Sequence, residues 1–113
     1  MTFNDVGMLP ECTSNTNCIL VEWKFNDVST NFKKLVGLAS SLPRTETLEL
    51  TDSYWHGLVR SLIFRFPDDL EILKVDRRNI IQVRSSSRVG ISDLGVNKKR
   101  VDELYLELEK SSS

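Results

Sequence analysis

Between Ile80 and Arg100 the chain reads IIQVRSSSRVGISDLGVNKKR, and this stretch carries most of its chemically useful side chains. Arg84, Arg88 and Arg100 can grip a carboxylate or phosphate through paired N–H groups. Ser85 and Ser87 add hydroxyls. Asp93 stands between Gly90 and Gly95, where it can bond the loop's own amides or clamp Arg84 or Arg88. On a strand, Arg84 and Arg88 share one face but stand about 13 Å apart. One anion is therefore held more easily by one arginine and a group from a neighbouring strand, for which Arg60 is the candidate. Lys98, Lys99 and Arg100 sit where a helix starts, and cations there are unfavourable unless a negative charge is close. Either a bound anion or an acidic side chain such as Asp93 or Asp69 must supply it.

Acid–base chemistry has one candidate centre. His56 is the only histidine, and Tyr54 lies on the same face of its strand. Asp68, Asp69 and Glu71 offer carboxylates that could orient it as a general base. The competing reading is a histidine satisfied within a polar network. No Gly-x-Ser-x-Gly elbow, His-Glu-x-x-His pair or phosphate-binding loop occurs. Cys12 and Cys18 read as two thiols beside an irregular N-terminus, or as a small disulfide loop in an oxidising compartment. Two cysteines and one histidine fall short of a zinc ligand set. No cofactor is implied.

These groups have to be positioned by a modest frame. The chain has 113 residues, 40% of them hydrophobic and 27% charged, which suits one domain with one core. A net charge of -1 gives no electrostatic reason to expect nucleic acid. No apolar run is long enough to span a bilayer, and no secretory leader is visible, so the expectation is a cytoplasmic chain without a membrane span.

Residues 1–16 read as an irregular lead-in. Asn17 to Phe25 alternates as a strand, with Ile19, Val21 and Trp23 on one face. Asp27 is an N-cap, and Val28, Phe32, Leu35, Val36, Ala39 and Leu42 then recur at helical spacing until Pro43. Thr45 to Leu50 is a strand. Tyr54 to Phe66 is a long strand with two mixed faces, which a bulge near Gly57 would reconcile. Pro67 to Asp69 is a turn, Leu70 to Val75 a short strand, and Asp76 to Asn79 a hairpin loop. The last strand runs from Ile80 to Val89. A final helix is capped by Asn97, with Val96 stapled on Val101. The order is β-α-β-β-β-β-α, an α+β two-layer domain with a five-stranded, mostly antiparallel sheet and two helices. Two helices cover only one sheet face, so Trp23, Trp55 and Tyr54 could form an exposed aromatic patch for a protein partner if the other face is bare; the competing reading is a partly covered second core.

The pattern Arg84-Ser85-x-Ser87-Arg88-x-Gly90-x-x-Asp93-x-Gly95-x-Asn97-x-x-Arg100 resembles a widespread bacterial and plastid family, domain-of-unknown-function family 1499. Tyr54 and His56 match its Tyr-x-His segment. Ser61, Phe64, Phe66, Asp68, Asp69 and Glu71 match a second segment, and Asn17-Cys18 an Asn-Cys near its start. Where family members often carry prolines around the first cysteine, this chain has Thr13, Ser14 and Asn15. The resemblance implies a fold and a set of positions, but no activity. The leading functional expectation is a non-catalytic binding module. Its site is built from Tyr54, His56, Arg60, Arg84, Ser85, Ser87, Arg88, Asp93 and Arg100, and takes an anionic small molecule or an acidic partner segment. The alternative is a small enzyme using His56 with a carboxylate.

Overall fold

A computed structural model describes residues 8–14, 16–62, 65–89 and 95–111. Five strands form one antiparallel sheet: β1 (Cys18–Lys24), β2 (Thr45–Leu50), β3 (Tyr54–Arg60), β4 (Pro67–Val75) and β5 (Ile80–Ser87). Their spatial order is β1-β5-β4-β3-β2. Strands β2 to β5 follow one another as a meander. Helix α1 (Val28–Ser40) carries the chain from edge strand β1 to the opposite edge at β2. Helix α2 (Val96–Ser111) follows β5. The element order and the α+β class are those the sequence predicts.

Helix α1 starts where Asp27 accepts a hydrogen bond from the Thr30 N–H at 3.1 Å, satisfying one of the free amides of the first turn. Its stripe of Val28, Phe32, Leu35 and Ala39 is buried. With Val101, Leu104 and Leu108 of α2 it covers the inner sheet face of Trp55, Val59, Leu70, Ile72, Ile81 and Val83. Trp55 is completely buried and spends its indole N–H on Thr47 Oγ1 at 3.0 Å. Its ring lies over Gly57, where an added Cβ would come within 2.2 Å of the indole. Position 57 is glycine because the tryptophan occupies that space.

Several element ends differ from expectation, each for a physical reason. Strand β3 stops at Arg60 rather than Phe66, because the Ser61 N–H bonds Phe66 O at 3.1 Å and closes a tight hairpin. Arg65 takes a left-handed φ of 57° there, and Ile63 and Phe64 lie outside the described residues. The bulge falls on β2, between Thr47 and Glu49, directly across from Gly57. Strand β4 begins at Pro67, so Asp68 and Asp69 belong to the strand and not to a turn. Ion pairs described below make that burial tolerable. Strand β5 ends at Ser87, although the Arg88 N–H still bonds Pro67 O at 3.0 Å. Asn97 lies inside α2, not ahead of it as a cap, and Val96 is exposed, which removes the staple.

The outer sheet face is not bare. Leu9 of the lead-in is buried against Tyr54, Leu73, Val75 and Ile80, with Met8 and Leu20 beside them. The Leu9 N–H donates to Gln82 Oε1 at 2.7 Å. Cys12 and Cys18 are disulfide-bonded, which ties the lead-in to the start of β1. The partly covered second core is therefore what forms, and the aromatic patch does not. Trp55 belongs to the inner core, Tyr54 lies under the lead-in, and Trp23 meets Tyr105 with ring centroids 4.8 Å apart. The mixed faces of β3 are explained without a shift of phase, since both faces are partly covered.

Alkylation of the untreated protein should find no free thiol. A Cys12→Ser/Cys18→Ser variant should lose about 2 kcal/mol of stability, the chain-entropy value for so short a loop. Urea denaturation of both proteins, with and without reductant, checks this; an unchanged midpoint would mean that the lead-in holds without its cross-link.

Candidate functional site

Central strand β4 carries carboxylates at Asp68, Asp69 and Glu71, and side chains alternate across a sheet. Asp69 and Glu71 therefore reach the outer face, and Asp68 the inner one. The expected site residues divide the same way. Tyr54, His56, Arg60, Arg84 and Arg88 belong to the outer face; Ser85, Ser87 and Arg100 meet on the inner side, between β5 and α2. The structure does not bring the two sets together. Asp93 and Gly90 lie outside the described residues.

On the outer face His56, Glu71, Arg84 and Leu20 stand side by side on four neighbouring strands. The Tyr54 hydroxyl donates to Glu71 Oε2 at 2.7 Å, and Arg84 Nη1 donates to Glu71 Oε1 at 3.3 Å and to Ser86 Oγ at 3.2 Å. Glu71 is almost fully buried, so Arg84 and Tyr54 serve as its counter-charge and hydrogen-bond donor. Arg84 Nε is buried and makes no hydrogen bond among the described residues.

One row further along, Leu58, Asp69, Ser86 and Cys18 stand side by side. His56 Nε2 lies 2.6 Å from Asp69 Oδ1. Arg88 grips the same carboxylate with both Nε and Nη2, at 2.9 and 3.0 Å. Burial acts against the charge on Asp69 more than any other single influence. The hydrogen bonds from Arg88 and His56, with the charges of both, outweigh it and hold the carboxyl below its usual 3.8. Arg88 is raised in turn, first by its hydrogen bond to Asp69 and then by that charge. Arg60 pairs with Pro67 at the end of the sheet and is exposed, with no side-chain bond to any described residue.

The inner cluster is closed. Arg100 Nη2 meets Asp68 Oδ2 at 2.9 Å, with side chains only 10% and 3% exposed. Arg100 Nη1 also donates to Ser85 Oγ at 3.0 Å and Asn97 Oδ1 at 2.8 Å. Ser85 donates its own proton to Asn97 Oδ1, while the Asn97 amide nitrogen donates to Ser87 Oγ and Asn17 O. Lys98 and Lys99 pair with Asp102 and Glu103 one turn on. The cations at the start of α2 thus find side-chain partners. Nothing in the sequence marks Asn97, Ser86 or Asn17 as site residues, yet all three join these networks. By type Asp68 reads only as a partner for His56, but it shares strand parity with Leu70 and Ile72, and that parity turns it to the core.

Removing Asp68 strands a buried guanidinium. Asp68→Ala should cost about 3–5 kcal/mol, whereas Arg88→Ala, at a half-exposed pair, should cost under about 1 kcal/mol. Equal losses in chemical denaturation would contradict the division into a structural and an open cluster.

Acid should act through Asp69. Its carboxyl is lower in the folded than in the unfolded chain, so its contribution is complete above the unfolded value and fades as pH falls through the folded one. Asp69→Asn should flatten that acid limb in pH-dependent melts. Asp27, held low by the Thr30 amide, leaves a residual slope. A limb unchanged in the variant would remove Asp69 from the pH response.

No curated protein matches the chain. A protein-family model described as a protein of unknown function (DUF1499) matches residues 8–108, which takes in the described parts of both clusters, all of α1 and α2 as far as Leu108. The chain belongs to the DUF1499 family.

Proposed function

We propose that this chain is a non-catalytic binding module that takes an anionic group, a carboxylate or a phosphate, on the outer sheet face. The site narrows to His56, Arg60 and Arg88. Arg84 and Arg100 are committed to Glu71 and Asp68, and each would leave a buried carboxylate without its counter-charge if drawn away. The observation that carries the reading is the placement of Arg60 and Arg88 on either side of Pro67. They stand two strand spacings apart, about 10 Å, within reach of one anion between them. Asp69, already shared by His56 and Arg88, is the carboxylate set among them. An acidic segment of a partner would offer the same chemistry.

A second reading has its own support in the His56–Asp69 contact. An ionised carboxylate only accepts, so His56 Nε2 donates, and neutral imidazole keeps Nδ1 as an acceptor facing away from Asp69. That is the arrangement of an oriented general base. Arg88 weakens it, because it draws on the same carboxylate that would stabilise an imidazolium. Binding is therefore the stronger reading. The Cys12–Cys18 bond also favours an oxidising compartment over the cytoplasm expected from the sequence. Among the described residues no helix is long and apolar enough to cross a membrane.

Thermal melts in phosphate, citrate and chloride at matched ionic strength test the binding reading. At a tenfold excess over Kd, a bound anion should raise Tm by about 5 °C. Arg60→Gln/Arg88→Gln should abolish the rise while leaving the chloride melt nearly unchanged. A wild-type melt indifferent to the anion would discard the reading.

A further inference from the structure

The lead-in lies across the outer sheet face and is held at two points. At one, the Leu9 side chain is buried against Tyr54, Leu73, Val75 and Ile80, and the Leu9 N–H donates to Gln82 Oε1 at 2.7 Å. At the other, Cys12 is bonded to Cys18, the first residue of β1. Of residues 8–14, Leu9 alone is buried, and the Ser14 and Thr16 hydroxyls bond each other. Ordering a segment costs entropy residue by residue, and one buried leucine with one amide bond offsets little of it. The cross-link makes up the difference by keeping the lead-in close to its seat whenever Leu9 lets go. The inner core draws on residues from Ile19 onward, so the packing of both helices on the sheet does not depend on this segment. Both cysteines are half-buried and are flanked by exposed Glu11, Thr13 and Thr16, so a thiolate can reach the bond from solvent.

We propose that Cys12 and Cys18 form a redox latch: while they are bonded the lead-in covers the outer apolar cluster, and their reduction frees it to lift. A thiolate of a dithiol reductant attacks one sulfur of the pair. The S–S bond breaks, a mixed disulfide forms with one cysteine, and the other leaves as a thiolate. The reductant's second thiol then displaces the first cysteine. Two electrons and two protons have passed to Cys12 and Cys18, now two thiols, and the reductant leaves as a disulfide. In an oxidising compartment the latch stays closed until such a dithiol reaches it. What it guards is an apolar floor with a polar margin. Tyr54 lies in that floor and donates to the buried Glu71, which Arg84 also holds. Arg84 stands across from Leu20, which packs on the same cluster, and its Nε is buried with no hydrogen bond among the described residues. Lifting the lead-in admits water to this margin and offers that N–H a partner, which favours the open state once the covalent tie is gone.

Amide hydrogen exchange of the native protein, before and after treatment with dithiothreitol and without denaturant, tests it. Dithiothreitol should reduce the bond in the folded protein, as alkylation of both cysteines then records. Exchange at the Leu9 amide should rise about 30-fold, the loss of confinement expected for so short a loop. Anilinonaphthalene sulfonate should fluoresce with the reduced protein and not with the oxidised one. Amides of α1 and β4 should keep their protection throughout. A Cys12→Ser/Cys18→Ser variant should behave as the reduced protein with or without reductant. Leu9 protection that survives reduction overturns the proposal, because the lead-in then stays seated without its tie. Loss of protection in α1 and β4 together with Leu9 overturns it as well, since the bond then supports the whole domain. So does a bond that dithiothreitol reduces only in denaturant.

Discussion

Three carboxylates in the middle strand of a small sheet set the terms for the rest of this molecule. Asp68 and Glu71 are buried almost completely, and an uncompensated charge at such positions would outweigh much of a domain's net stability. Alternation sends Asp68 to one face and Asp69 and Glu71 to the other, so no single basic element can serve all three. Strand β5 supplies Arg84 and the residue just after it, Arg88, on the outside, and α2 reaches back with Arg100 on the inside. The serine-rich end of β5 follows from this. Ser85 and Ser87 hold the amide of Asn97, and Ser86 accepts a hydrogen bond from Arg84. The arginine–serine pattern is the counterpart of an acidic strand some fifteen residues earlier.

Much of this frame could be read from the chain. Asp27 and the apolar stripe behind it define α1, because capping chemistry and helical spacing are local. The strands were readable where alternation was clean. The errors fall where tertiary charge pairing overrides local chemistry. Pro67-Asp68-Asp69 has the composition of a turn, and only partners distant in sequence keep it extended. Asn97 has the composition of a cap, and only its contact with Ser85 and Ser87 draws it inside the helix. The likeness to a family located the residues but carried no information about which face each one served.

That division of faces shapes how function can be sought in DUF1499. Among the described residues the inner network ties Arg100 to Asp68, Ser85 and Asn97, and so fastens α2 to β4 and β5. The outer face is different in kind. Its carboxylates are also satisfied, but Arg88 is 49% exposed and Arg60 stands open at the rim. Residues matched by one motif thus split into a structural group and an accessible group. A substitution in the first alters everything through the fold, and one in the second can be informative about recognition.

The interrupted register of β2 has a consequence for how copies of this chain meet. That strand is an edge, and an intact edge presents evenly spaced amides and carbonyls on which another strand can template itself. Here the irregularity between Thr47 and Glu49 breaks the spacing halfway along, and Glu46 and Glu49 set like charges on either side of it. A second copy approaching edge to edge would find its ladder out of step and its carboxylates opposed. The exposed Leu48 and Leu50 can therefore remain at the rim without seeding a continuous intermolecular sheet.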